Sequence, residues 1–116
     1  MISCVTEKKN NFWSYTEWEK AGLKSNNFTG FKLYIIECFD GKENFYKIGK
    51  TFTTIYQRFK TYNLPYDYKI IRTIDGEARA ISKLEKFLHN KLKSYKYKPN
   101  KAFNGMTECF TQYKIN

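Results

Sequence analysis

Proline and glycine are scarce in this chain, with 2 and 6 among 116 residues. No low-complexity tract, internal repeat or linker interrupts it, and the length is that of one domain. Cysteine is nearly as rare. Cys4, Cys38 and Cys109 lie too far apart for a zinc pattern, and three thiols cannot form a complete disulfide set. No apolar run reaches the length of a signal-peptide core or a membrane span. These absences lead to the expectation of a reduced, cytoplasmic protein with no membrane partner. Acidic residues are few as well: 11 Asp+Glu stand against 21 Lys+Arg, a formal charge of +10. Such an excess suits a polyanionic partner, nucleic acid being the commonest, although a solubilising surface carries the same sign. Arginine is limited to Arg58, Arg72 and Arg79. Lysine supplies point charge for phosphates and arginine the fork for guanine edges, so the balance favours backbone contact over base reading.

What is present is aromatic and patterned. Residues 1–30 are polar and Asn-rich, and the overlapping capping boxes Ser14–Glu17 and Thr16–Glu19 predict a short helix from about Tyr15 to Leu23. Trp13 and Trp18 in that extension either dock on the core or stack on bases. From Phe31 the texture changes. Leu33–Phe39 and Phe45–Thr51 read as strands joined by the turn Asp40–Asn44, a hairpin. Thr53 or Thr54 caps a helix carrying Ile55, Phe59 and Tyr62 on one side, and Asn63-Leu64-Pro65 ends it. Tyr68–Ile74 is a third strand. Asp75 is the expected cap of a long helix from Gly76 to about Tyr95, with Ile81, Leu84, Leu88 and Leu92 as its buried row. A basic loop, Lys96–Asn104, leads to a last strand that includes Glu108-Cys109-Phe110. The order β-β-α-β-α-β predicts an α+β domain: a small antiparallel or mixed sheet of three to four strands flanked by helices. The chain divides into an amino-terminal helical extension, 1–30, and a main domain, 31–116.

Several short pieces, in order, carry a family pattern. They are Leu33-Tyr34-Ile35, Lys47-Ile48-Gly49-Lys50-Thr51, Arg58 in the following helix, Leu84-Glu85-Lys86-Phe87-Leu88-His89, and Gly105-Met106-Thr107-Glu108-Cys109-Phe110. Together they resemble the GIY-YIG nuclease superfamily, and within it the phage-associated branch with KIG in place of YIG. An A/T-rich coding composition, seen in the abundance of Lys, Asn, Ile, Tyr and Phe, is compatible with such an origin. The resemblance covers about Leu33 to Phe110. It implies a metal-dependent endonuclease acting on DNA.

Site residues follow from that resemblance together with their chemistry. Tyr34 is the expected general base for water, with Lys47, at the YIG tyrosine position, lowering its pKa into a useful range. This requires both side chains on one face of the hairpin. Pairing Phe39 with Asn44 achieves it; pairing Phe39 with Phe45 puts them on opposite faces. Otherwise Tyr34 is an ordinary buried strand tyrosine. Gly49 admits a close neighbour or a phosphate, and Lys50 follows it onto the backbone of the nucleic acid. Arg58 forks a phosphate in the transition state, or forms a surface ion pair. Glu85 is the expected ligand of Mg2+ or Mn2+, the alternative being a salt bridge with Lys91 or a similar lysine. His89 relays a proton, binds phosphate or closes the edge of the core. Glu108 and Asn104 lie in the closing motif without an assigned role. Lys93, Lys96, Lys98 and Lys101, alternating with Tyr95, Tyr97 and Phe103, suit phosphates and unstacked bases, or a solvated helix end.

Three readings compete at this level: a DNA endonuclease, a DNA-binding module of the same fold without turnover, and an interaction protein aimed at a host or viral factor. Sequence specificity is expected to be low unless a homodimer or larger assembly forms.

Overall fold

The computed structural model describes residues 15–115, apart from the side chain of Tyr62; Cys4, Trp13 and Ser14 lie outside the described residues. A helix over 15–24 (α1) precedes β1 (Lys32–Phe39), β2 (Asn44–Thr51), α2 (Ile55–Tyr62), β3 (Asp67–Asp75), α3 (Ala78–Lys91) and β4 (Cys109–Phe110). All pairings are antiparallel, in the order β3-β1-β2-β4. The expected α+β class and element order are therefore present, with an antiparallel rather than mixed sheet.

β1 and β2 are central, and both of their faces are covered. Leu33, Ile35 and Ile48 meet Ala78 and Ile81 of α3, and Leu92 just beyond it, on one face; Ile36, Cys38 and Phe45 meet Ile55 and Phe59 of α2 on the other. This explains the unbroken apolar texture of β1, where an exposed sheet would alternate. β3 is an edge, and its extra residue Ile71 falls where the register shifts between Ile35 and Ile36.

Hairpin register decides which side chains meet. Phe39 pairs with Asn44, Ile36 with Lys47 and Tyr34 with Gly49. Since side chains alternate, Tyr34, Ile36 and Lys47 share the α2 face. The Asp40 carboxylate fixes that register from the turn, accepting from the N–H groups of Lys42 at 2.9 Å and Glu43 at 3.0 Å.

Thr54 is the cap of α2, accepting from the Gln57 N–H at 3.1 Å, and Asn63 ends the helix in the left-handed region at φ 51°. α3 departs from expectation at both ends. Asp75 closes β3 instead of capping the helix, because the Gly76 N–H bonds to the Phe31 carbonyl at 3.1 Å; Glu77 stands at the cap without a side-chain bond. Leu92 ends the regular helix, and Lys93–Tyr95 continues as a 3-10 turn through Tyr95 N–H to the Leu92 carbonyl. Burial of Leu92, 1 % exposed, fixes that break. Trp18 of α1 packs 4.9 Å from Phe31 and 6.2 Å from Phe52, which is the docking expected of it. Among the described residues no helix is long and apolar enough to cross a membrane.

Candidate active site

The hairpin and the closing segment converge on Gly49. Tyr34, 0 % exposed, stands edge-on to Phe59 with its hydroxyl over the Gly49 backbone. A Cβ at Gly49 would fall 2.5 Å from the Tyr34 Oη and 3.0 Å from Glu108 Oε1, so only glycine lets both groups approach. Lys47, also 0 % exposed, donates from Nζ to Tyr34 Oη at 2.6 Å and to Glu108 Oε1 at 2.7 Å. Glu108 reaches this point through the 3-10 turn Met106–Glu108, which opens at Gly105 with φ 92°. β4 is only two residues long and pairs with Tyr46 and Lys47, so the β2 edge is open from Ile48 onward.

Charge in this cluster does not follow the expected pattern. Burial is the largest influence on Tyr34 and raises its phenol pKa; the charge and hydrogen bond of Lys47, and the charge of Arg58, oppose the rise without reversing it, while Glu108 adds to it. The pull of Lys47 on Tyr34 thus has the expected direction, and burial outweighs it. Lys47 is itself neutralised by Glu108, a partner that sequence reasoning left without a role. Burial also works against the Lys47 charge, but Tyr34 and Glu108 outweigh it and hold the lysine pKa above its ordinary value. The resting cluster is a neutral phenol, an ammonium and a carboxylate.

Glu85 approaches from α3. Its Oε2 is buried without a hydrogen-bond partner, and its Oε1 lies 3.8 Å from Lys50 Nζ. Burial first, then the charge of Glu108, pushes the Glu85 carboxyl up to about 7, against the pull of Lys50, Lys47 and Arg58. Its neighbouring lysine is thus Lys50 rather than Lys91, which lies over the Phe87 ring. Lys50 is held three ways: it donates to Ser82 Oγ at 3.0 Å, faces Glu85, and lies 4.6 Å from the Trp18 ring centroid. Arg58, Lys50 and Glu108 line a cleft of about 350 Å³ together with Trp18, Asn27, Gln57 and neighbouring hydroxyls.

The remaining expected residues divide. His89 Nε2 lies 2.7 Å from the Ile48 carbonyl, on the edge that β4 leaves open, and packs against Phe110. A carbonyl can only accept, so Nε2 carries the proton and His89 closes the core edge in this state. Asn104 is exposed. Lys93, Lys96 and Lys98 are exposed on the segment after α3. Lys101 sits at the turn end of the hairpin, paired with Asp40 at 3.0 Å and over the Tyr66 ring, away from Gly49.

Tyr34, Lys47, Gly49, Lys50, Arg58 and Glu85 are thus brought together, with Glu108 added. Trp18, Asn27 and Gln57 are further cleft residues for which the sequence held little signal, since their meeting depends on how α1 docks.

Residues 32–114 match the family described as the T5orf172 domain. No curated protein and no solved structure matches the chain.

Proposed function

We propose, from the premise that this chain belongs to the T5orf172 domain family, that it is a metal-dependent endonuclease hydrolysing DNA phosphodiester bonds. The family is associated with endonuclease-type folds, which gives a nuclease-like, DNA-binding domain as the coarse assignment. The observation that carries the finer reading is the buried, unpartnered Glu85 Oε2, on a carboxylate that faces Lys50 next to the Tyr34–Lys47–Glu108 chain.

That oxygen fits a hard divalent cation, Mg2+ or Mn2+. A buried acceptor without a donor is costly, and a cation satisfies it. Among the described residues no three His, Cys, Asp or Glu side chains gather as a ligand group, so Glu85 would hold the ion with water and phosphate oxygens completing the shell. Bound there, the ion supplies Lewis-acid charge to the phosphate. Arg58 and Lys50 neutralise the phosphate oxygens as charge builds on them. Lys47 fixes the Tyr34 oxygen, and Glu108 fixes Lys47. Tyr34 acts as general base in its ionised form: the phenol first loses its proton to solvent, a loss that burial opposes and Lys47 and Arg58 favour, and the phenolate then takes the proton of the attacking water. DNA is held by the net charge of +10, with the lysines of the 93–101 segment as outlying phosphate contacts.

One observation favours a second reading, a DNA-binding module without turnover: the raised pKa of Tyr34 beside an already neutralised Lys47. Cleavage of supercoiled plasmid with Mg2+ or Mn2+ decides between them. Metal-dependent nicking that is lost in Glu85→Ala at matched DNA binding establishes the nuclease; binding without nicking by the wild type establishes the module.

A further inference from the structure

The cleft is not built by the family domain alone. Trp18 and Asn27 lie before residue 32, where the family match begins, and they line the cleft together with Gln57, Arg58 and Thr61 of α2. The segment that carries Trp18 and Asn27 is fixed to the domain. The Thr29 N–H donates to the Phe52 carbonyl at 2.8 Å, and Lys32 Nζ donates to Thr29 Oγ1 and to the carbonyls of Gly30 and Thr53, each at 3.0 Å. Trp18 is held by Phe31 and Phe52.

The lining is mixed. It combines Lys50, Arg58 and Glu108, the charged groups of the candidate site, with the Trp18 and Phe52 rings, the amides of Asn27 and Gln57, and the hydroxyls of Thr51, Thr53 and Thr61. Lys50 Nζ lies 4.6 Å from the Trp18 ring centroid, so charge and ring stand side by side. Gln57 Nε2 donates to Thr61 Oγ1 at 3.0 Å, which orients its amide and leaves its carbonyl oxygen as an acceptor. This combination of cation, ring and amide matches the parts of a nucleotide: phosphate, flat π-face, and an edge of donors and acceptors. A paired duplex offers its base edges only through the grooves, and its faces not at all. At about 350 Å³ the cleft lies near the small end of ligand pockets, which span about 300–1,000 Å³.

We propose that the cleft is a subsite for a single unpaired nucleotide, seated between α1 and α2 with its phosphate at Lys50 and Arg58. Asn27 and Gln57 then read the base edge, and the extension before residue 32 makes the protein a structure-selective binder that prefers bulged, flapped or frayed DNA. This rests on the nucleic-acid reading given above.

The test is a titration of the full chain, with chelator present to prevent cutting, against labelled DNA duplexes identical except for one central unpaired nucleotide. Wild type is expected to bind the bulged duplex about tenfold more tightly than the paired one, the scale of one base contact. Asn27 and Gln57 sit at the surface, so Asn27→Ala/Gln57→Ala folds, and its affinity ratio should fall to about one. Equal wild-type affinities, or a preference that survives in the double variant, overturns the subsite while the DNA-binding reading stands. Failure to bind either duplex overturns both.

Discussion

The two ends of the β1–β2 hairpin use the same ingredients, a carboxylate, tyrosines and a lysine, to opposite effect. At the turn end, Glu43 accepts hydrogen bonds from the hydroxyls of Tyr66 and Tyr97 and from the Asn100 N–H, and Asp40 pairs with Lys101. Burial works against the Glu43 charge, but these donors outweigh it and hold its pKa below the usual carboxylate value. At the Gly49 end, Glu85 has a buried oxygen without a partner and a carboxyl pushed up to about 7. A polar group that is satisfied locks structure; one left wanting is available to a ligand. The difference separates the part of the molecule that holds the 96–104 loop in place from the part that has chemistry to offer.

The largest effect should come from Glu85→Gln, and it should move activity and stability in opposite directions. Metal-dependent nicking is expected to fall by about 100-fold or more, the scale of losing one transition-state charge partner. Stability should rise. The carboxyl titrates near 7 when folded and near 4.5 when unfolded, so the folded state binds more protons between those values. Stability of the wild type therefore declines as pH rises from 4.5 to 7, and the deficit persists above 7. Removing the charge should recover on the order of 2 kcal/mol above pH 7 in urea denaturation, and nothing below about pH 4.5. A variant that is less stable above pH 7 would show that Glu85 is a satisfied structural group like Glu43, and the contrast between the ends would disappear.

Gly49→Ala tests the close approach itself. The new methyl would press on the Tyr34 ring as well as its hydroxyl, with Cζ at 2.8 Å, in a strand packed on both faces. A loss of about 1–3 kcal/mol is expected. Adding Tyr34→Phe removes the 2.5 Å contact and should return part of that loss, a coupling that a double-mutant cycle reads directly. Independent losses would mean that the two residues do not share the space the structure gives them.

Most of the fold was legible in the sequence because it rests on local chemistry: Thr54 caps, Asn63 stops, and the Asp40–Glu43 loop sets the register. The condition on that register was stated from alternation alone, and the pairing of Phe39 with Asn44 satisfies it. The misreading of α3 came from taking Asp75 and Tyr95 at face value; the Phe31 carbonyl and the burial of Leu92, both tertiary, reset its ends. At the site, the family pattern pointed to residues that do converge. It could not supply their electrostatics. Whether Tyr34 is acidified depends on how deeply it is buried and on what else holds Lys47, and Glu108 lies 61 positions along the chain from that lysine. Trp18 offered docking or base stacking from its ring alone, with nothing local to place it at the cleft, and Asn27 carried no signature that sets it apart from any polar loop.

A smaller effect is expected from Glu43→Ala at the turn end. Two tyrosine hydroxyls and one N–H lose their acceptor, and the urea midpoint should fall. Nicking per folded molecule should be unchanged, since none of these groups reaches Gly49. If nicking at saturating DNA falls with stability held constant, the loop that Glu43 anchors takes part in the reaction site and not only in outlying phosphate contact, and the two ends are less separate than the geometry makes them.

The smallest effect belongs to Asp40→Asn. The bond with Lys101, first, and then the Lys42 and Glu43 N–H groups depress the Asp40 carboxyl to about 2. A depressed carboxylate adds stability above its unfolded pKa of 3.8 and loses it as pH falls through about 2. The pair lies at the surface, with Lys101 half open to solvent and Asp40 part-buried, so much of its Coulomb energy is screened. The variant should be slightly less stable than wild type at neutral pH, and the gap should close both in acid and in high salt. The amide oxygen of the variant can still accept from the two backbone N–H groups. A gap that ignores pH and salt would therefore mean that turn geometry, and not charge pairing, holds this end. The hairpin would then owe its quiet end to Asp40 as a turn former, with Lys101 free to serve the phosphate role expected of it from the sequence.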